Sequence, residues 1–254
     1  MKPRKTMITL VFYIGSQSGV PIVIDDIERA NPGIGGAQYC MLLLAHFLLK
    51  DPTYKVYILG KRQLIANEDL NYVPVNADDE LILNVVKISP DLVILCHFPY
   101  SVLKQHLWHT KFKVIIWSHN YIYSDFCKYI VDNPSIKVNV FVGKQQYDRY
   151  IDDDVIKKSM FISNMVPDLQ PIGCRLNDSR TVVFMGAIIE GKGFFEMCKI
   201  WKSIIFRVPN ARLLVMGSGN LYDQNKLGKL GIASDEYEKK FFPYISENGK
   251  ILPS

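Results

Sequence analysis

Asn31-Pro32-Gly33-Ile34-Gly35-Gly36-Ala37-Gln38 is a glycine-rich turn that runs directly into the apolar stretch Tyr39-Cys40-Met41-Leu42-Leu43-Leu44-Ala45-His46-Phe47-Leu48-Leu49. Glycine permits positive φ and lets a ligand come close to the backbone. The first amides of a following helix have no internal partner and lie at the positive end of its dipole. Such a site suits an anion, most often a phosphate. The same glycines would also serve a loop that merely enters a buried helix, because the full dinucleotide or Walker spacing is absent.

Upstream of the turn, Lys2, Arg4 and Lys5 precede an apolar run at 7–14. A signal peptide can begin this way, but the run ends in Gly15-Ser16-Gln17-Ser18 without a cleavage pattern and is rich in β-branched and aromatic residues. It reads as the first strand, joined to the turn by a long connection at 16–31. Downstream, residues 54–59 form a second strand closed by Gly60, and 72–75 a short one. Asp78-Asp79-Glu80 opens a helix that Ser89-Pro90 stops. Leu92-Val93-Ile94-Leu95-Cys96 is apolar throughout, as strands buried on both faces of a parallel sheet are. Helices at 100–108, 126–131 and 144–150 then alternate with strands at 113–117, 138–142 and 159–162, the pattern of a doubly wound α/β layer.

Residues 164–178 carry Pro167, Pro171 and Gly173 and read as a linker. The organisation expected is therefore a first unit at 1–163, the linker, and a second unit at 179–254. The second unit has strands at 181–185 and 212–216, a turn at 186–193, and helices at 194–207, 222–230 and 235–241. Two or three strands bury too little surface for a self-sufficient α/β domain, so the second unit is expected to be incomplete.

Among 254 residues, 48% are hydrophobic and 22% charged, the profile of a folded chain with an ample core. A net charge of +5 without a run of five like charges is compatible with anionic substrates and argues against a nucleic-acid tail. Cys40, Cys96, Cys127, Cys174 and Cys198 are scattered, mostly apolar in context and never in CxxC spacing. They read as reduced thiols of a cytoplasmic protein, and no metal site is expected.

Two motifs in the second unit bring a resemblance with them. Val182-Val183-Phe184-Met185-Gly186-Ala187-Ile188-Ile189-Glu190-Gly191-Lys192-Gly193 is followed, after a helix, by Ala211-Arg212-Leu213-Leu214-Val215-Met216-Gly217-Ser218-Gly219. With the Gly35-Gly36 turn, Trp117-Ser118-His119-Asn120 and Phe161-Ile162-Ser163-Asn164-Met165-Val166 in order, the chain from Met7 onward resembles the GT-B glycosyltransferases. It is most similar to the retaining family called glycosyl transferases group 1.

The resemblance implies two Rossmann-like units and a reaction that moves a sugar from a nucleotide-sugar donor to a glycan or lipid-linked acceptor, in surface polysaccharide or glycolipid assembly, without a cofactor. Gly35, Gly36, Lys192 and Gly193 would meet the donor diphosphate, and His119 and Lys192 would serve catalysis. The family usually carries Arg where this chain has Ala187, and a Glu-x7-Glu element that is not reached before Ser254. A truncated, non-catalytic binding protein is therefore the alternative.

The residue chemistry supports both readings. Sugar transfer develops charge on the anomeric carbon and on the leaving diphosphate, and donors aimed at developing charge are usually the largest catalytic contribution. Lys192 could equally be a solvated turn lysine. His119 could equally be a loop histidine, although the C-terminal end of a strand is where α/β sheets bind ligands. His97 is a weaker candidate, and His46, His106 and His109 read as structural or exposed. The basic and aromatic segment 102–113 reads as a helix packed on the sheet, with peripheral contact at the inner face of a membrane as the alternative. Gly60-Lys61-Arg62 could receive the 2′-phosphate of a nicotinamide cofactor. Against that, nearly twenty residues separate Ile14 from Gly33, where a dinucleotide fingerprint would follow the strand at once.

Overall fold

A computed structural model describes residues 7–15, 21–24, 27–66, 70–96, 112–166, 180–219 and 227–252. The chain divides into two compact units, Met1–Leu169 and Gln170–Ser254.

The first unit is built on a seven-stranded, wholly parallel sheet. Its strands are β1 (Ile8–Tyr13), β3 (Tyr54–Gly60), β5 (Asn71–Pro74), β6 (Leu92–Leu95), β7 (Lys113–Ser118), β8 (Ile136–Phe141) and β9 (Ser159–Phe161). They lie in the order β5-β3-β1-β6-β7-β8-β9. The chain winds outward from β1 to β5, returns to the other side of β1, and winds out again. The strand order reverses between β1 and β6, the crevice where doubly wound sheets bind ligands.

Alternation along the strands builds two cores. Val11 and Tyr13 face one side with Val93, Leu95, Val114 and Ile116. Helix α2 (Asp78–Ile88) and helix α3 (Ser124–Asp132) cover that side through Leu81, Val85, Cys127 and Ile130. Leu10 and Phe12 face the other with Ile58, Ile94 and Trp117, beneath α1 (Gly36–Leu49). A sheet covered on both faces needs strands that are apolar on both sides, and 92–96 is the clearest case.

Helix α1 is apolar nearly all round, with Tyr39 to Leu43 and Ala45 buried, so one contact face is not enough for it. The stretch between β1 and α1, expected as plain connection, supplies further cover. It contains β2 (Ile22–Ile24), which pairs in parallel with β4 (Leu64–Ala66) in a small second sheet. Ile22, Ile24 and Ile27 join the α1 core, and the Tyr39 hydroxyl donates to the Ile27 carbonyl at 2.9 Å.

The second unit pairs β10 (Thr181–Met185) with β11 (Arg212–Met216) in parallel. Between them runs helix α5 (Phe194–Arg207), packed with α6 (Asp235–Ile245) around Phe194, Cys198, Tyr237 and Phe241. A short hairpin follows, β12 (Ser246–Glu247) and β13 (Lys250–Ile251).

The helix expected at 222–230 is corrected where the structure describes it. Leu227 bridges Ser234 in antiparallel fashion and Leu230 lies in a turn. The buried Glu238 carboxylate accepts the amides of Leu230, Ile232 and Ala233 at 2.6, 2.9 and 3.1 Å, which fixes this loop in a non-helical path. The helix expected at 100–108, and most of the basic and aromatic segment, lie outside the described residues. Among the described residues no helix is long and apolar enough to cross a membrane.

Candidate functional site

The glycine turn ends up at the strand-order reversal. Asn31 holds it closed from within: its Nδ2 donates to the Ile34 carbonyl at 3.0 Å and its Oδ1 accepts the Ile34 amide at 2.9 Å. Gly33 takes φ +80, a conformation that L side chains rarely adopt. Gly35 is the N-cap of α1 and provides no side-chain cap. The ladder begins with the Tyr39 amide donating to the Gly35 carbonyl at 2.9 Å. The amides of residues 36–38 thus precede the first intrahelical donor, and no acidic residue lies in that turn.

A Cβ built at Gly33 or Gly36 would meet nothing within 4 Å among the described residues. Gln38 Nε2 donates to the Ile14 carbonyl at 2.9 Å, which ties the helix entry to the end of β1. On the other side of that end, the Lys61 amide donates to the Gly15 carbonyl at 3.3 Å.

At the same sheet edge, one and two strands from β1 and on the α3 face of the sheet, a cavity of about 440 Å³ opens at the ends of β6 and β7. Leu95, Cys96 and Ile116 form its apolar base, and Ser118 and His119 stand at the end of β7. Residues 120–123 form its rim, and Asp125 and Phe126 enter from the first turn of α3. Aromatic walls with a few polar groups are the usual composition of a small-molecule pocket.

The His119 ring lies 5.1 Å from that of Trp117 at 45°. Trp117 is 6% exposed, and its indole Nε1–H has no hydrogen-bond partner among the described residues. An unmet buried donor is costly, so this one is a polar feature of the α1 side of the sheet that sequence reasoning missed.

Beneath the cavity a polar chain crosses three strands. The Ser118 hydroxyl donates to Asn139 Oδ1 at 2.6 Å and Asn139 Nδ2 donates to Ser159 Oγ at 3.2 Å. The Ser159 hydroxyl in turn donates to the Val155 carbonyl at 2.7 Å. Asn139 is fully buried, and the chain gives its amide oxygen and nitrogen a partner each. Burial raises the Cys96 thiol at the cavity base to about 12, which keeps it protonated and a poor nucleophile.

In the second unit, Lys192 ends a short 3₁₀ turn (Glu190–Lys192), and Gly193, at φ +79, is the N-cap of α5. Lys192 is exposed. This helix start differs from that of α1. Its Phe195 amide donates to the Tyr237 hydroxyl at 3.2 Å, Glu196 sits in the first turn, and Glu190 pairs with Lys240. Gly186 and Gly217, at the ends of β10 and β11, approach so closely that a Cβ on Gly217 would stand 1.8 Å from the Gly186 oxygen.

Of the residues singled out in the sequence, Gly35, Gly36 and His119 share one edge of the first sheet, while Lys192, Gly193 and Ala187 belong to the second unit. His46 is structural, with its Nε2 2.6 Å from Glu28 Oε1. His97, His106, His109 and Cys174 lie outside the described residues. Among the described residues, no group of three or more His, Cys, Asp or Glu side chains could hold a metal ion. The cavity's supports at Asn139, Gln146 and Tyr150 carry no motif, and only tertiary contacts reveal them.

No protein-family model matches the chain, and comparison with curated proteins gives no match. Among solved structures, a glycosyltransferase from Rickettsia africae is similar over 96% of this chain and 67% of its own, at a TM-score of 0.53 and 11% identity. S. aureus MnaA, in a co-structure with UDP, is similar over 97% of this chain and 69% of its own, at 0.50 and 12%. A UDP-N-acetylglucosamine 2-epimerase is similar over 83% and 63%, at 0.45 and 10%. The chain thus spans about two thirds of the length of these neighbours, and the α/β, Rossmann-like fold is what it shares with the first two.

Proposed function

We propose that the chain is a nucleotide-sugar-dependent glycosyltransferase of the GT-B type, acting with retention on a glycan or lipid-linked acceptor in surface polysaccharide or glycolipid assembly. The observation that carries this reading is the presence, on one sheet edge, of an α1 N-terminus at the strand-order reversal with no side-chain cap among the described residues and of an aromatic-walled cavity lined by His119. The α1 amides would receive the donor diphosphate and the cavity its sugar, with His119 hydrogen-bonded to a sugar hydroxyl. In the reaction the acceptor oxygen bonds to the anomeric carbon. The bond from that carbon to phosphate oxygen breaks, its electron pair leaves with the diphosphate, and the acceptor proton passes to a base or to water. Within the second unit, Lys192 is the cation we propose for stabilising developing negative charge, with no metal required.

The test is calorimetric titration of the chain with UDP-glucose, UDP-N-acetylglucosamine and GDP-mannose, each alongside its nucleoside diphosphate. Binding in the micromolar to millimolar range supports the proposal, and no binding of any of them overturns it. A second reading, a non-catalytic nucleotide-sugar binder, is favoured by Ala187 and by the acidic, hydroxyl-capped start of α5. It predicts binding without release of nucleoside diphosphate, and turnover by the purified chain would eliminate it.

A further inference from the structure

The rim of the cavity is gripped, residue by residue, from a single helical turn. Gln146 Nε2 donates to the Asn120 carbonyl at 2.6 Å, while its Oε1 accepts the Val142 amide at 3.1 Å. The Arg149 guanidinium lies 4.7 Å over the Tyr121 ring. The Tyr150 hydroxyl accepts the Ile122 amide at 2.7 Å and donates to the Ile122 carbonyl at 2.9 Å. Residues 146, 149 and 150 are spaced i, i+3, i+4 and so share one face of α4 (Lys144–Asp148) and its continuation. They hold three consecutive residues, 120, 121 and 122.

The grip is itself anchored. Tyr150 stacks on Phe141 at 4.9 Å and 6°, and both Tyr150 and Gln146 are buried. One hydroxyl thus pairs both backbone groups of Ile122 and fixes that residue's backbone in place.

We propose that Gln146 and Tyr150 are positioning residues for sugar recognition, holding the segment from His119 to Tyr123 in a preformed shape while touching no ligand themselves. The inference rests on the reading of the cavity as the sugar site. A shell whose own geometry is locked is what lets a few polar groups discriminate one sugar from another. Release of the rim blurs the sugar contacts and leaves the diphosphate contacts at α1 as they were.

The test uses Tyr150→Phe, which keeps the stack on Phe141 and loses only the hydroxyl, with Gln146→Met as the second variant. For each, affinity for UDP-glucose, UDP-N-acetylglucosamine and GDP-mannose is compared with that for UDP and GDP, and amide exchange is followed over residues 119–123. The expected result is at least tenfold faster exchange at Ile122 in Tyr150→Phe, about tenfold weaker nucleotide-sugar binding in both variants, and UDP or GDP binding within twofold of wild type. Three results overturn the inference: unchanged exchange, equal losses for the nucleotide sugar and its diphosphate, or a freed rim with unchanged sugar affinity. If the wild-type chain binds none of the nucleotide sugars, the cavity reading itself falls and takes the inference with it. A wild type that binds and variants that bind equally well defeat the positioning role alone.

Discussion

Replacing Asn139 by Leu tests the polar chain under the cavity. Leu is close in volume, so the change adds little cavity or strain. What it removes is the acceptor for the Ser118 hydroxyl and the donor to Ser159. Ser159 still donates to the Val155 carbonyl, so its loss is partial. Ser118 is 4% exposed and loses its acceptor. A lost hydrogen bond costs about 1 kcal/mol, and a buried hydroxyl left unmet about 1–3 more. The single variant should therefore lose about 2–4 kcal/mol, and its Tm should fall by about 5–15 °C at about 2–4 °C per kcal/mol for a chain of this size.

The double variant Asn139→Leu with Ser118→Ala removes both partners and should recover about 1–2 kcal/mol relative to the sum of the singles, because no orphaned hydroxyl remains. Urea unfolding of wild type, both singles and the double, followed by tryptophan fluorescence, closes the cycle, since Trp117 adjoins Ser118 in β7. If Asn139→Leu were as stable as wild type, or if the losses added without coupling, the network would contribute nothing and the reasoning would fail.

Gly36→Ala separates the two uses of the glycine turn. A Cβ there meets nothing within 4 Å, so stability should hold or rise by up to about 1 kcal/mol from helix propensity, while nucleotide-sugar affinity drops about tenfold if the anion approaches this backbone; unchanged affinity places the ligand elsewhere. Gly217→Ala should prevent the second unit from folding, read by limited proteolysis, because its Cβ would overlap the Gly186 carbonyl; native-like resistance would refute the close approach. Lys192→Ala should leave Tm nearly unchanged, as the side chain is exposed, and lower any turnover about 100- to 1,000-fold; equal turnover would remove it from the mechanism. Burial raises the Cys127 and Cys198 thiols to about 11 and about 12. Their stabilising contribution is complete below the ordinary thiol value near 9.0 and is lost as pH climbs toward those values, so native Cys198 should resist DTNB at pH 8 until urea unfolds the chain; rapid native labelling would contradict its burial.

The sequence determined the architecture because burial on both sheet faces writes itself locally. Leu92-Val93-Ile94-Leu95 has no polar position, and the glycine turn meets an apolar run too long for a strand, so strand, turn and helix follow from neighbours in the chain. It missed β2 and β4 because three-residue strands carry almost no periodicity, and their role emerges only when α1 demands cover on its outer side. It drew a helix through 227–230, where the Glu238 carboxylate gathers three amides from a loop up to eight residues away.

His119 was legible as a strand-end histidine. Tertiary structure alone decided what surrounds it: the grip of Gln146 and Tyr150 spans more than twenty-five residues of chain, and the Asn139 chain joins three strands. Local pattern encodes which face of an element is buried. Which polar group meets which is set by strand order and register, and in this sheet those are fixed only once β6 to β9 pair side by side.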